Sequence, residues 1–276
     1  QTQVLRIKPD FCFYGEGWDM ARGVNLPMGT KGNAPMLPRF GFFNDFYRES
    51  AKRFFCQDPY SLPDFEFGMA GSCVDFFHKA HFLSASQSIN YLECHDNHTF
   101  YDVLSSSCAE LKEEEKNELI QASLAGLLTS FGVPFIHMGE EIGQSKKGHG
   151  NTYNSGDALN QFDYDRLDGH FDMAETASKW IALRKNLSFL SSYSPKEIDE
   201  NFDLTDYRGC LRLVLKKKEW IEEYGFWLFY INPSNHEVNF VEEGGLRLVL
   251  STSPQNGIDS EGLLVPPRTV SIYSNR

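Results

Sequence analysis

The sequence has no apolar run near the roughly 20 residues needed to cross a bilayer as a helix, and its polar start, QTQVLRIKPD, is not a secretory signal. It also lacks positive charge. Lys and Arg total 26 against 38 Asp and Glu, a formal charge of -12, and such a field repels phosphate backbones and anionic lipid. Nucleic acid and membrane are therefore excluded as main partners, and a neutral ligand fits better. Rossmann, P-loop, HExxH and GxSxG signatures are absent, so dinucleotide, nucleotide, zinc-protease and serine-hydrolase chemistries lack support. The six cysteines (Cys12, Cys56, Cys73, Cys94, Cys108 and Cys210) show neither CxxC spacing nor a Cys/His zinc pattern. Free thiols and a cytoplasmic location are expected, with Cys12 and Cys94 as small buried hydrophobes inside strand-like runs. There is no internal repeat and no low-complexity segment. Aromatic residues are plentiful, at 14%, and suit a large core or stacking surfaces for rings.

Residues 1 to about 190 alternate short apolar runs with helical patterns, the signature of βα repeats around a parallel sheet. Val4 to Ile7 reads as a helix end broken at Pro9-Asp10, and Phe11-Cys12-Phe13-Tyr14 as a fully buried strand ending at Gly15. Phe40 to Phe43 reads as a second strand, with a helix around Tyr47 to Phe55, and Ser88 to Glu93 as a third strand stopping at His95-Asp96-Asn97. Ile120, Leu124, Leu127, Leu128 and Phe131 recur at helical spacing, predicting a helix over 112–131 capped by Gly132. Pro134 then leads into a fourth strand, Phe135 to Met138, and a second amphipathic helix is expected at 172–189. From about residue 195 the pattern changes to short β runs: Leu211 to Leu215, Phe226 to Ile231, Val238 to Phe240, Leu246 to Leu250 and Val270 to Tyr273. Turn signals such as Asn232-Pro233-Ser234-Asn235, Gly244-Gly245 and Pro266-Pro267 separate them, predicting a small antiparallel sandwich.

Parallel-barrel enzymes place their sites at the carboxyl ends of the strands. Those ends here carry Glu16 and Asp19, Asn44-Asp45, Glu93 with His95-Asp96-Asn97, and Glu140-Glu141, so each strand is expected to send a carboxylate to one rim. Paired carboxylates suit glycoside hydrolysis, in which one protonates the leaving oxygen and another faces an oxocarbenium-like transition state. Glu16, beside Tyr14 and Trp18, is expected to be desolvated and held protonated; Asp96, in a more polar setting, is expected to stay charged. His95 is a donor suited to a sugar hydroxyl.

Tyr14-Gly15-Glu16-Gly17-Trp18-Asp19 and Tyr91-Leu92-Glu93-Cys94-His95-Asp96-Asn97 resemble two motif regions of the α-amylase superfamily (glycoside hydrolase family 13) in the forms found in pullulanase-type debranching enzymes. The first form is the more specific. Further matches are Gly41 to Asp45, Gly132 to Glu141, Asn151 to Asn160 and Val265 to Arg268, so the likeness covers nearly the whole chain. It implies the second half of a TIM (β/α)8 barrel, strands five to eight, over 1–192, and a C-terminal β-sandwich domain over 193–276. It implies a retaining hydrolase of α-1,6 branch linkages in pullulan, glycogen or starch limit dextrins. Glu16 would be the general acid/base and Asp96 the transition-state stabiliser. His95 and Asn97 would hold the sugar, Trp18 would wall it, and Asp157 and Asn160 would line further subsites. No cofactor is required; calcium is allowed, though no EF-hand-like loop names its ligands. The family's nucleophile, an Asp in an Arg-x-Asp context, has no counterpart before Glu16. The chain is therefore expected to begin after strand four, to be inactive alone, and to need the N-terminal half of the same enzyme as partner. The alternatives are an α-1,4-acting enzyme of the same superfamily and an inactive glucan-binding fragment.

Overall fold

The computed structural model describes residues 2–20, 23, 26–242, 245–255, 257–259 and 262–276. A short helix, α1 (Thr2–Ile7), leads to β1 (Phe13–Gly15), β2 (Phe40–Asn44), α2 (Asp45–Phe55), α3 (Leu62–Met69), β3 (Ser88–Asn90), α4 (Phe100–Ser107), α5 (Glu113–Thr129) and β4 (Val133–Pro134). The four strands pair in parallel in the order β1-β2-β3-β4, as the βα alternation predicts.

Register assigns the two faces of this sheet. Phe42 pairs with Ser88 and Asn44 with Asn90, so these four side chains share the face that meets the helices. Asn44 donates there to Ser72 Oγ (2.9 Å), Ser88 Oγ (2.8 Å) and Asn90 Oδ1 (3.2 Å), so its buried amide is fully satisfied. The same side chain accepts from the Tyr47 N–H and caps α2, so one residue couples strand end to helix start. The opposite face carries Tyr14, Phe43 and Ile89; it is open at Tyr14, which is 60% exposed, and closed at Ile89, which is buried.

Helix α5 starts on Glu113-Glu114-Glu115, which suits the positive end of its dipole, and from Leu119 onward nearly every residue is buried. It packs against α2, against α8 (Phe171–Asn186) and against the last strand, so a single apolar stripe would not suffice. Arg184 of α8 is buried and donates to the carbonyls of Leu128 (2.9 Å), Ser130 (2.6 Å) and Gly132 (2.5 Å), tying off the end of α5. Burial alone pushes its guanidinium down to about 10. Between these elements run α6 (Asp157–Asn160) and α7 (Tyr164–Gly169).

After α9 (Pro195–Asn201) the chain is antiparallel: β5 (Phe202–Tyr207), β6 (Cys210–Leu215), α10 (Lys218–Tyr224), β7 (Trp227–Asn232), β8 (Val238–Phe240), β9 (Arg247–Ser251), β10 (Gly257–Asp259), β11 (Gly262–Val265) and β12 (Thr269–Ser274). Sheets β5-β6-β7-β12-β9 and β10-β11-β8 face each other across Leu228, Tyr230 and Tyr273 on one side and Val238, Phe240, Leu263 and Val265 on the other. The back of the larger sheet, with Leu211, Leu213, Phe229, Ile231 and Ile272, joins the main core together with α5 and α8. Every other residue of β6 thus serves a different core.

Several boundaries differ from the expectation. Cys12 is exposed and Tyr14 is 60% exposed, because β1 is an edge with one uncovered face rather than a fully buried strand. Strand β3 ends at Asn90, and β4 is Val133–Pro134, not Phe135 to Met138. Pro134 lacks a donor, so the ladder keeps only the Phe135 N–H to Asn90 carbonyl bond (2.8 Å) beyond it. Ser130, not Gly132, caps α5; Gly132 (φ 126°) is needed because a Cβ there would sit 2.7 Å from the Asn90 amide. Strands β5, β10 and β11 and helices α3, α4, α6, α7, α9 and α10 were not anticipated. Gly244 of the expected Gly244-Gly245 turn lies outside the described residues.

Candidate active site

The carboxyl end of β1 turns sharply at Gly17, whose φ is 70° and where a Cβ would lie 2.6 Å from the Phe42 ring. Only glycine permits that approach. The turn is held by the Lys31 N–H donating to the Gly17 carbonyl (3.0 Å), and it throws Glu16 and Trp18 to the same side as the loop after β3. Glu16, His95 and Asp96 converge there, with ligand-type atoms all within 4.8 Å of one another; His95 Nε2 lies 3.5 Å from Asp96 Oδ2. They line a small cavity of about 50 Å³ whose floor is aromatic, built from Phe43, Tyr91 and Phe135. The Phe43 ring packs edge-on against Tyr14 (6.1 Å), Tyr91 (5.4 Å) and Phe135 (5.1 Å).

Trp18 also lines an adjoining cleft of about 630 Å³ with Lys31, Asp45, Phe46, His81 and Phe82, so its ring stands as the wall between the two. Lys31 holds that ring from above, its ammonium 3.8 Å from the ring centre, and is itself paired with Asp45.

The loop bearing His95 and Asp96 is pinned from below. Glu93 is 2% exposed, and its carboxylate accepts from the Phe100 N–H (2.6 Å) across the whole loop while its other oxygen meets His137 Nδ1 (3.0 Å). The His137 N–H donates to Glu140 (3.0 Å). Burial first, then the Glu93 charge, holds the Glu140 carboxyl well above the usual carboxylate range. Lys52, also buried, donates to the His98 carbonyl (3.1 Å); burial lowers its ammonium, opposed chiefly by the Glu93 charge. Asn97 makes the turn at φ 63°, a conformation asparagine tolerates better than most residues, and Thr99 caps α4 by accepting from Asp102 N–H (3.2 Å).

Not every expected residue reaches the cavity. Asn97 lines a separate depression with Lys52, Arg53, Cys56 and His98. Asp157 and Asn160 lie on α6 and do not line the Glu16 cavity; Asn160 is spent on its own loop, donating to the carbonyls of Thr152 (2.8 Å) and Ser155 (2.9 Å) and accepting from the Thr152 hydroxyl (2.7 Å). The common rim of carboxylates is corrected too. Glu93 and Glu140 are buried beneath it, because each hydrogen-bonds backbone N–H groups that would otherwise be unpaired. The apolar shelter expected around Glu16 is thin, since Tyr14 and Glu16 are exposed and Trp18 is 38% exposed. Sequence reading missed Arg48, which lines the cavity and donates to Tyr91 Oη (2.9 Å), and it missed Lys31 and His137. Arg48 follows Asn44-Asp45 by one helical turn, which was the available signal.

No family model matches the chain. The pullulanase of Bacillus subtilis (strain 168) is 36% identical over 197 residues, 67% of this chain and 27% of its own length. The glycogen debranching enzyme of Escherichia fergusonii is 28% identical over 278 aligned positions, covering 85% of this chain and 40% of that protein. Among solved structures, pullulanase type I from Bacillus subtilis str. 168 complexed with maltose superposes with a TM-score of 0.86 at 27% identity, over 99% of this chain and 41% of that one. The pullulanase from Bacillus acidopullulyticus gives 0.85 at 27% identity, over 99% and 35%. The chain spans less than half the length of these relatives. With a relative 36% identical over 67% of the chain and a superposition over 99% of it, the chain is a relative of the pullulanase-type debranching enzymes, which are glycoside hydrolases.

Proposed function

We propose that this chain supplies the acid-bearing half of a retaining hydrolase of α-1,6-glucosidic branch linkages in pullulan, glycogen or starch limit dextrins. The observation that carries the reading is the convergence of Glu16 and Asp96, from two separate strand ends, beside a ring-sized wall at Trp18. Glu16 protonates the leaving glycosidic oxygen and later activates water. Asp96 faces the positive charge that develops at the anomeric carbon, and the His95 ring donates to a sugar hydroxyl. Trp18 walls a glucose ring beside the bond that breaks. Asn97 shapes the turn that presents Asp96, and Asp157 and Asn160 belong to a loop more remote from the bond that breaks. No metal is needed for these steps, and a calcium ion would be structural.

Strands β1 to β4 act as strands five to eight of a (β/α)8 barrel over 1–192, followed by a sandwich domain over 193–276. The uncovered face with Tyr14 and Phe43 would be the barrel interior, closed by the N-terminal half of the same enzyme, which brings the nucleophile and completes the dry shelter around Glu16. The chain alone is then a glucan-binding unit without turnover. Six free thiols suit a reducing, cytoplasmic compartment. The test is reducing-end release from pullulan with and without a co-expressed N-terminal half. Maltotriose appearing only with both halves is the expected result; cleavage of the α-1,4 bonds of amylose instead would overturn the linkage assignment.

A further inference from the structure

We infer that Glu16, His95 and Asp96 also form a binding site for one borderline-soft divalent cation of the zinc type, whose occupation takes the two carboxylates out of service. Each residue offers one ligand atom, and the three atoms lie within 4.8 Å of one another. In a tetrahedral zinc site with bonds of about 2.1 Å, neighbouring ligands stand about 3.4 Å apart. The His95 Nε2 to Asp96 Oδ2 separation of 3.5 Å already matches that edge. These two ligands ride on a loop anchored by Glu93 and Lys52, so they need little ordering to receive an ion. Glu16 is exposed and free to close the remaining gap, while the open side of the cavity leaves room for water as a fourth ligand.

The donor set selects the metal. One imidazole nitrogen with two carboxylates suits zinc, cobalt, nickel or copper, whereas calcium and magnesium demand six or more oxygens. The net charge of -12 draws cations to the surface. The cations nearby are already engaged: Arg48 by Glu49 and Tyr91, Lys31 by Asp45. Cys94, the one thiol lining the cavity, donates to the Asp96 carbonyl at 3.6 Å.

The site is that of the proposed hydrolase, so the inference deepens that reading, but it is tested without substrate. The 276-residue chain, its thiols kept reduced, is titrated with Zn²⁺ by calorimetry and with Co²⁺ by absorption. One ion per chain is expected, with affinity falling at least about tenfold in His95→Ala and in Glu16→Gln and unchanged in Cys94→Ser. Both weakening substitutions are at exposed positions, so loss of the fold does not imitate loss of a ligand. Cobalt should show visible ligand-field bands without thiolate charge transfer. Affinity unchanged in His95→Ala, a thiolate band that disappears in Cys94→Ser, or no heat at metal concentrations on the order of millimolar would each overturn the assignment. Cobalt capture with no hydrolysis after reconstitution would leave this site standing and remove the glycosidase; hydrolysis without capture would do the reverse.

Discussion

Asp96 and Glu16 reach the same cavity on very different supports. The loop of Asp96 is strapped at both ends, by Glu93 to Phe100 and by Lys52 to His98, over buried groups. The segment of Glu16 follows an edge strand of three residues whose Tyr14 is largely exposed, and one glycine turn sets its direction. Preorganisation is a property of the groups behind a side chain, and on this count Asp96 is built into place and Glu16 is only aimed.

The largest effect expected is at Glu16, the proposed acid. With the N-terminal half supplied, Glu16→Gln should cut kcat on pullulan by about 10²- to 10⁴-fold with little change in KM, the loss of a general acid; a change in KM alone would make Glu16 a binding residue. On the other support, Glu93→Ala removes an acceptor shared by Phe100 and His137 and should destabilise the chain by about 2–4 kcal/mol, read from urea unfolding. If unfolding is unchanged, the strap is not what holds the loop. Gly17→Ala forces a side chain into a left-handed turn against Phe42 and should cost about 1–3 kcal/mol. Hydrogen exchange should locate that loss in 13–20 and spare 93–107; equal loosening of both would show that the two supports are not independent.

The smallest effect concerns a third contact, where α3 meets β5. Burial, then the Asp206 charge, raises Glu66 to about 7. The folded state therefore holds a proton that the unfolded state releases above its ordinary value near 4.5. This contribution is fully present below pH 4.5 and is lost as pH rises through 7. Because Glu66 is half-buried, solvent screening limits it to about 1 kcal/mol. Glu66→Gln should flatten unfolding free energy against pH between 4.5 and 7, as followed by urea titrations.

Much of this was legible in the chain. Strand β2, helix α2 and helix α5 announce themselves because their apolar spacing and caps are local: Asn44 before Asp45, three glutamates at the start of α5. Strand β5 did not, because FDLTDY lies at a sheet edge and buries little beyond Phe202, so no apolar period marks it. At the site, the strand-end positions of Glu16, His95 and Asp96 were readable in the sequence, and Trp18 entered through the family resemblance. Arg48, Lys31 and His137 were not, since their roles arise from contacts between residues 14 to 44 positions apart in the chain.

The sequence by itself determined which residue types stand at each strand end, the switch from βα repeats to antiparallel strands, and the absence of basic or metal-finger patterns. Those properties depend only on neighbours along the chain. The tertiary structure alone decided that Glu93 and Glu140 sink beneath the rim while Glu16 and Asp96 stay on it, that Asn160 serves its own loop, and that Trp18 divides two cavities. A carboxylate looks the same in sequence whether it meets water or a backbone N–H, and only packing assigns it one or the other.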